Sequence, residues 1–215
     1  MIFKDIKILD KDFLTAEHQN VVVSGKFITY VGTELHHESG HEIIDGKNRF
    51  LMPAFFNTHC HVPMTLLRGY GEGLPLNRWL NEKVFPFEAK FTGREKYAGA
   101  ALGACELIKS GCVSISDAYS ELADYAGALY EAGMKANLCN QYLAFDENAS
   151  FYKDRSYRDS EALKEWIACH DTDRIKLDAG IHSEYCTNNC SLSTLKGSAA
   201  DYYACDSHDL ISRTS

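Results

Sequence analysis

Short runs of alternating apolar and polar residues dominate the first 50 residues of the chain. FKDIKILD alternates throughout, and NVVVSGKFITYVG contains two strand-like runs around Ser24-Gly25, which is typical of a hairpin. HEIIDGKNRF predicts a further strand that ends at an Asp45-Gly46 turn. Alternation between successive residues is the pattern of a half-buried strand. We therefore predict that residues 1–50 form a small β-sandwich-like segment that flanks the rest of the chain.

Residues 51–187 show a different pattern, in which strands and helices alternate. LMPAFFN is apolar on both faces and predicts a buried strand of a parallel sheet. Three helix–strand pairs follow: helices in GREKYAGAALGACELIKSG, ELADYAGALYEAG and SYRDSEALKEWIACH, and strands in CVSISDA, KANLCNQYL and RIKLDAGIH. In the first helix the apolar positions that recur at helical spacing are Tyr97, Ala101, Ala104, Leu107 and Ile108.

Polar side chains end the predicted strands. They are His59 and His61, Asp117, Gln141, and His182. Alternating strands and helices predict a parallel sheet with helices outside it, and in a β/α barrel the functional groups lie at the carboxyl ends of the strands. We therefore predict an α/β fold, a partial TIM-type barrel with about four of its eight units. Residues 188–215 are expected to form a divergent tail, for which disorder is one interpretation.

The composition is that of an ordinary globular protein, with 45% hydrophobic and 24% charged residues and a net charge of -8. No basic stripe exists to neutralise phosphates, which argues against a nucleic-acid partner. No apolar run approaches the roughly 18 residues of a membrane helix, and MIFKDIKILDKDF does not have the pattern of a signal peptide. The eight cysteines are scattered and form no CxxC pair, which favours reduced thiols. We therefore expect a cytoplasmic protein.

The segment His59-Cys60-His61 is a candidate metal site at the end of a predicted strand. Side chains at positions i and i+2 of a strand share a face. Two imidazoles placed in this way can bind one metal ion, and histidine is the commonest ligand for zinc. Cys60 is then expected to point the other way, into packing. Taken alone, the pair is also compatible with two hydrogen-bonded surface or core histidines.

The stretch LMPAFFNTHCHVPMTLLRGYGEGLPLNRWLNEKVFPFEAKFT resembles the opening of the metal-dependent amidohydrolase superfamily. Within that superfamily it is similar to the branch of S-adenosylhomocysteine/methylthioadenosine deaminases and their chlorohydrolase relatives. The shared motifs are N-T-H-x-H after a proline-started strand, LPLxxWL and PxEAKxT. SGCVSISDAYS resembles the family's second strand, and GIHSEYCT resembles its fourth-strand histidine motif. The resemblance covers about residues 1–187.

The resemblance implies a role for five residues. His59 and His61 match metal ligands, which implies zinc or another divalent metal such as iron. Glu88 matches a residue that contacts the ribose hydroxyls of the substrate, and a carboxylate can accept both hydrogen bonds of a vicinal diol. Trp79 matches an aromatic residue of the substrate pocket, and His182 matches a histidine that hydrogen-bonds the substrate at the mouth of the site. Without the resemblance, Glu88 reads as an exposed helix-end residue and Trp79 as a loop-packing one.

Four further residues lie near the expected site. Asp117 and Tyr119 are interpreted as structural. Arg155 and Arg158 lie in the region of the family's arginines that hold the substrate tail, but they have no clear counterpart in the motif. The catalytic acid or base is not assigned to any residue of this chain.

The resemblance implies hydrolytic deamination of a small nucleoside-like substrate of the adenosine type. The family's third metal histidine and its proton-transferring glutamate belong to the fifth strand, and its metal-site aspartate to the eighth. Because no such strands are recognised after His182, we expect a truncated or frameshifted copy, with the shift between Cys186 and Leu195. The alternatives are a non-catalytic chain that associates through exposed barrel edges, or a specificity like that of a chlorohydrolase or a guanine deaminase.

Overall fold

The computed structural model of the chain describes residues 1–10, 12, 14–34, 40–142 and 151–180. The chain divides into two compact units, Met1–Ala54 and Phe55–Ser215. In the described portion, no helix combines the length and the apolar character that crossing a membrane requires.

The first unit contains one five-stranded sheet. Its strands are β1 (Ile2–Leu9), β2 (Thr15–Ser24), β3 (Phe27–Gly32), β4 (Ile43–Asp45) and β5 (Phe50–Leu51). The order is β3-β2-β1-β4, and β5 also pairs with β1. β2 is antiparallel to β1 and β3, whereas β4 and β5 run parallel to β1. The alternating segments therefore predict the strands correctly, but the described strands form a single sheet, whereas a sandwich has two.

The turn between β2 and β3 explains the hairpin pattern at Ser24-Gly25. Gly25 has a φ of +59°, in the left-handed region that glycine adopts without a steric penalty. On the inner face of this unit, Ile2, Ile6 and Val21 are buried, which accounts for the alternation in the sequence.

The second unit contains a parallel sheet and its helices. Its strands, in order across the sheet, are β6 (Phe55–Cys60), β7 (Cys112–Tyr119), β8 (Lys135–Asn140) and β9 (Ile175–Asp178). All neighbouring pairs are parallel. The helices are α1 (Leu76–Trp79), α2 (Phe85–Glu88), α3 (Gly93–Lys109), α4 (Leu122–Glu131) and α5 (Arg155–His170). After β6, the structure contains the three predicted helix–strand pairs, α3–β7, α4–β8 and α5–β9.

The core of this unit lies between the sheet and helices α3 to α5. It contains residues of strands β7 to β9, of helices α4 and α5, and of the loop after α4: Ile115, Leu122, Tyr125, Leu129, Met134, Leu138, Leu163 and Ile175. Leu122, Tyr125 and Leu129 of α4 have no exposed surface at all. Burial of each such leucine contributes about 1.5–3 kcal/mol relative to an exposed one. Helix α4 therefore anchors the sheet from its outer side.

Helix α3 buries a face other than the one that its apolar periodicity predicts. Ala104 is buried as expected, but Tyr97 and Ile108 are 37% and 46% exposed. The buried positions are small residues and one lysine: Lys96, Gly99, Ala100, Gly103 and Ala104. A Cβ at Gly99 would lie 2.5 Å from the carbonyl oxygen of Pro63. Because the chain after β6 packs directly on the helix backbone, small residues rather than large apolar ones form this contact.

Strand β6 is more exposed than its apolar sequence predicts. The strand begins at Phe55, and the side chains of Phe55 and Phe56 are 56% and 69% exposed. β6 lies at one edge of the described sheet. The prediction that LMPAFFN is a strand buried on both faces is therefore wrong for the described residues, in which Leu51 ends β5 and the exposed Phe55 begins β6.

A helical segment lies before α3 that the sequence pattern does not predict. A π-helical turn, Leu80–Val84, joins α1 to α2, so the chain is helical from Leu76 to Glu88. Pro86 lies in the first turn of α2. Proline lacks an N–H and clashes with the preceding turn of a regular helix, and a π turn locally widens the backbone where it occurs. A proline flanked by aromatic residues therefore conceals the helix in the sequence.

Candidate metal centre

His59 and His61 lie at the carboxyl end of β6. Their ring centroids are 5.0 Å apart and the ring planes meet at 77°. The two side chains share a face because His59 belongs to the strand and His61 follows it by two positions. The His59 backbone N–H donates to Asn57 Oδ1 at 3.2 Å, which holds the backbone at the end of the strand. The structure therefore brings the two predicted metal ligands together.

The hydrogen bond of His61 determines which ring nitrogen can bind a metal. His61 Nδ1 lies 2.6 Å from the carbonyl oxygen of Ala118, on β7. A carbonyl oxygen only accepts hydrogen bonds, so Nδ1 must carry the proton. Nε2 then keeps its lone pair. This is the usual arrangement of a metal-binding histidine, in which the second ring nitrogen donates to a carbonyl or carboxylate.

Asp117 fixes the backbone immediately after His61. Its side chain has no exposed surface. Oδ1 accepts a hydrogen bond from the Val62 N–H at 2.6 Å, and Oδ2 accepts one from the Tyr125 hydroxyl at 2.6 Å. Burial raises the pKa of the Asp117 carboxyl, and the two hydrogen bonds act in the opposite direction. The structural interpretation of Asp117 agrees with these contacts.

Cys60 is partly buried and packs against the apolar core, as its place between the two histidines predicts. Its Sγ donates to the carbonyl oxygen of Ser116 at 3.5 Å. Burial, followed by the nearby Asp117 carboxylate, raises the pKa of the thiol far above its ordinary value. A thiol must be deprotonated to bind a metal. In the described structure Cys60 is therefore a packing residue with a protonated thiol.

Glu88 ends α2 and reaches the carboxyl end of β7. The Tyr119 hydroxyl donates a hydrogen bond to Glu88 Oε1. Burial raises the pKa of Glu88, while the hydrogen bond from Tyr119 and the electrostatic influence of the nearby His61 ring act in the opposite direction. Burial and the Glu88 carboxylate raise the pKa of Tyr119 well above its ordinary value. Glu88 is therefore half-buried beside the site, which differs from the exposed helix-end residue that its position alone suggests.

Of the two other predicted substrate-binding residues, only Trp79 is described by the structure. The Trp79 indole Nε1 donates to the carbonyl oxygen of Tyr70 at 3.1 Å, and a Cβ at Gly71 would lie 3.1 Å from its Cδ1. Trp79 therefore fastens the loop between β6 and α1, which is the loop-packing interpretation of this residue. His182 lies outside the described residues.

A cleft of about 210 Å³ opens at the carboxyl ends of β7 and β8, beside the start of α5. It is lined by Ser120, Asn140, Gln141, Asp154, Arg155, Ser156 and Asp159. Arg155 forms an ion pair with Glu121, which also pairs with the buried Lys96. The Glu121 backbone N–H donates to Asp159 Oδ2 at 3.0 Å. This network joins α3, α4 and α5 around the cleft.

Two parts of this arrangement are not predicted from the sequence. Lys96 occupies a position on α3 that helical periodicity assigns to the polar face, yet it is 5% exposed. Gln141 ends a predicted strand but receives no role, although its amide lies 3.3 Å from His61 Nδ1. The position of Gln141 at a strand end was the available signal.

The donor set fits part of a zinc site. A catalytic zinc ion usually has three protein ligands and one open position. Within the part of the chain that the structure describes, no three His, Cys, Asp or Glu side chains are grouped as a metal site requires. Two imidazoles on one face, one of them with Nδ1 bonded to a backbone carbonyl, can supply two of these ligands.

Comparison with known proteins gives one family. A family model described as "Amidohydrolase family" matches residues 50–192. A 5'-deoxyadenosine deaminase of Methanobrevibacter smithii is 34% identical over 203 residues, which are 94% of this chain and 46% of the relative. A 5-methylthioadenosine/S-adenosylhomocysteine deaminase of Dictyoglomus thermophilum is 36% identical over 187 residues, 86% of this chain and 42% of the relative. The chain thus spans a little under half the length of these relatives.

Solved structures with the same fold include two enzymes. An atrazine chlorohydrolase from Arthrobacter aurescens, complexed with zinc, has a TM-score of 0.76 at 16% identity. The alignment covers 93% of this chain and 50% of the chlorohydrolase chain. A guanine deaminase from C. acetobutylicum has a TM-score of 0.75 at 21% identity and covers 94% of this chain and 51% of its own. These likenesses confirm the predicted fold, an α/β partial TIM-type barrel.

Proposed function

The chain belongs to the amidohydrolase family, and from this premise we propose that it carries the first part of the active site of a metal-dependent deaminase. The proposed substrates are small adenosine-type nucleosides, the class named for the relatives. One observation carries the proposal: His59 and His61 share a face, and His61 holds its proton on Nδ1.

His59 and His61 are the proposed ligands of zinc or of another divalent ion such as iron. When bound, such an ion lowers the pKa of a coordinated water to about 7 and so supplies hydroxide at neutral pH. The Ala118 carbonyl orients the His61 ring, and Asp117 holds the backbone at Val62. These contacts fix the ligands before any ion arrives, which reduces the cost of binding.

Glu88 is the proposed partner of the ribose hydroxyls. Tyr119 donates to one oxygen of its carboxylate, which orients the other oxygen toward a vicinal diol. Trp79 holds the loop at the edge of the proposed pocket. His182, which lies outside the described residues, is proposed to hydrogen-bond the substrate at the mouth of the site.

Zinc titration tests the metal site directly. We expect one zinc ion per chain, and loss of that binding in both His59→Asn and His61→Asn. His170→Asn is the matched control, because this exposed histidine lies at the end of α5. Zinc binding that persists in both site variants would remove the basis of the proposal.

The deaminase specificity is favoured over the two alternatives within the family. Guanine and triazine carry no ribose, whereas Glu88 offers a carboxylate acceptor beside His61. We expect the zinc-loaded chain to bind 5'-methylthioadenosine more tightly than adenine, and Glu88→Gln to remove that difference. Equal binding of the nucleoside and the free base in the unmodified chain would instead favour a base or triazine substrate.

A second candidate function is association with another chain through β6. The motivation is the exposure of Phe55 and Phe56 on an edge strand, because unpaired strand edges are templates for pairing. Light scattering after size exclusion measures the mass of the particle. A dimer that Phe56→Lys dissociates supports this candidate, and a monomer at all concentrations contradicts it.

We also propose that the protein acts in the cytoplasm. The cysteines of the described residues, Cys60, Cys105, Cys112, Cys139 and Cys169, are all free thiols. Free thiols persist in reducing compartments. Fractionation of the source cells, with detection of the intact chain, tests this location.

A further inference from the structure

Two side chains converge on the Ala118 carbonyl oxygen. His61 Nδ1 donates to it at 2.6 Å, and Gln141 Nε2 donates to it at 2.7 Å. The two nitrogens are 3.3 Å apart. Because Nδ1 already carries a proton that points at the oxygen, it cannot accept from the amide, so both groups act as donors to one acceptor. A carbonyl oxygen has two lone pairs and can satisfy both.

The backbone around Gln141 is fixed on both sides. Asn140 is 6% exposed and donates through Nδ2 to the Ser156 carbonyl oxygen at 3.4 Å. Tyr142 is 1% exposed, and its N–H donates to the Gly180 carbonyl oxygen at 3.3 Å. Gln141 therefore stands between two buried residues at the end of β8. Because the backbone on both sides is held in place, the Gln141 side chain is directed toward Ala118 at the end of β7.

We propose that Gln141 is a positioning residue for the His61 ligand. Its amide occupies one side of the Ala118 carbonyl and leaves the other side to the imidazole, so the ring has a single hydrogen-bonded orientation. That orientation keeps the proton on Nδ1 and directs the Nε2 lone pair away from β7. The inference rests on the proposed function in one respect, namely that His61 binds a metal.

Loss of the amide frees the ring without removing its partner. In Gln141→Met the side chain keeps its length but has no donor, so one side of the Ala118 oxygen is left without its hydrogen bond and the imidazole can rotate about its bond to Cβ. A rotated ring presents a carbon to the carbonyl and loses its preference for the Nδ1–H tautomer. Loss of groups that orient metal ligands typically lowers metal affinity by about 10–100-fold. Because Gln141 acts through the carbonyl, we expect the lower limit, about tenfold.

The chain supplies a matched control. It has two glutamines, Gln19 and Gln141. Gln19 lies in the first unit and also donates its amide to a backbone carbonyl, that of Glu17, at 2.8 Å. Gln19→Met therefore makes the same chemical change to the same kind of hydrogen bond, in the unit that does not contain the candidate site. Thermal unfolding of both variants shows whether either change alters the fold.

The experiment has two independent readouts on the full chain. Long-range proton–nitrogen NMR of the metal-free protein reports the His61 tautomer, with the signals assigned by their loss in His61→Asn. Cobalt titration reports affinity. We expect one Nδ1–H tautomer in the unmodified chain and in Gln19→Met, and a mixture of tautomers with about tenfold weaker cobalt binding in Gln141→Met.

The outcomes separate this inference from the proposed function. If Gln141→Met keeps a pure Nδ1–H tautomer and unchanged cobalt affinity, Gln141 has no positioning role. If the unmodified chain binds no cobalt, the proposed metal site is wrong, and the tautomer of metal-free Gln141→Met still decides the role of Gln141. A loss of affinity in both glutamine variants would indicate a general effect on stability and would also overturn the inference.

Discussion

The layer between the parallel sheet and its helices differs from the carboxyl end of the same sheet. In the layer, Leu122, Tyr125 and Leu129 are completely shielded from solvent. At the carboxyl end, His59 is exposed and His61 is only half-buried. The first region is close-packed and apolar, and the second keeps polar groups available for a ligand.

Asp117 links these two regions. It is buried in the layer, where it accepts from the Tyr125 hydroxyl, and it also accepts from the Val62 N–H just after the histidine pair. The packed layer therefore supplies the rigidity of the site, since an exposed pair of imidazoles has few contacts of its own.

The largest expected effect comes from the packed layer itself. Leu129→Ala removes a side chain with no exposed surface, and we expect it to lower the free energy of unfolding by about 2–5 kcal/mol. Leu102→Ala is the matched control, because Leu102 on α3 is 46% exposed. Urea denaturation measures both. Equal losses in the two variants would contradict the assignment of the core to α4.

An effect of similar size is expected where the layer meets the site. Asp117→Ala leaves the Val62 N–H and the Tyr125 hydroxyl without their acceptor, and each unsatisfied buried group costs about 1–3 kcal/mol. Tyr125→Phe keeps the Val62 contact and should cost about 1 kcal/mol. Zinc affinity should fall in Asp117→Ala and change little in Tyr125→Phe. Normal zinc binding by a folded Asp117→Ala protein would show that the site does not depend on this link.

The contact between α3 and the chain after β6 should tolerate no added methyl group. A Cβ at Gly103 would lie 2.6 Å from Val62 Cγ1, so we expect Gly103→Ala to destabilise the protein by about 1–3 kcal/mol. At Gly127, on α4, the nearest side-chain atom would be 3.7 Å from the new Cβ. Gly127→Ala should therefore stabilise the helix by roughly 0.5–1 kcal/mol. Thermal unfolding compares the two, and the same sign of change in both would contradict the packing.

The smallest expected effect is a change in pH dependence. Burial raises the pKa of Asp159, beside the cleft, against the opposing effects of Asn140, Arg155 and Arg158. In the interval between its unfolded and folded pKa values the folded state binds more protons, so the free energy of unfolding falls as pH rises through that interval. We expect Asp159→Asn to flatten this fall in urea titrations between pH 4 and pH 7, a range that begins near the ordinary pKa of aspartate, about 3.9.

The exposed carboxylate of Glu82 provides the opposite case. Its hydrogen bond to Arg78 lowers its pKa, so any stability that it contributes is lost as pH falls. Glu82→Gln should therefore leave the fall of stability at rising pH unchanged. A Glu82→Gln variant that flattens this fall as much as Asp159→Asn would contradict the role given to burial.

The sequence predicts those features that depend on local periodicity. The strand before His59 places the histidines on one face whatever the rest of the fold does, and Gly25 identifies its hairpin from its own conformational freedom. The buried face of α3 was missed because close backbone packing selects Gly99 and Gly103, which carry no apolar signal. The helix around Pro86 was missed because a π turn accommodates the proline.

Contacts between distant residues could not be predicted in the same way. The Asp117 carboxylate reaches Val62 across 55 positions of sequence, and Gln141 reaches Ala118 across 23. Such contacts follow from the order of strands in the sheet, which the residue pattern specifies only as parallel. The candidate ligands were therefore predictable, whereas the residues that orient them required the structure.

X-ray absorption at the zinc edge of the zinc-loaded chain tests the central claim most directly, namely that His59 and His61 bind a metal ion. We predict nitrogen neighbours at about 2.0–2.1 Å, together with the outer-shell scattering of two imidazole rings. His61→Asn, which is expected to lose the ion, should show no protein-bound zinc and none of this imidazole scattering. A spectrum with sulfur neighbours, or with oxygen neighbours and no imidazole scattering, would contradict the account.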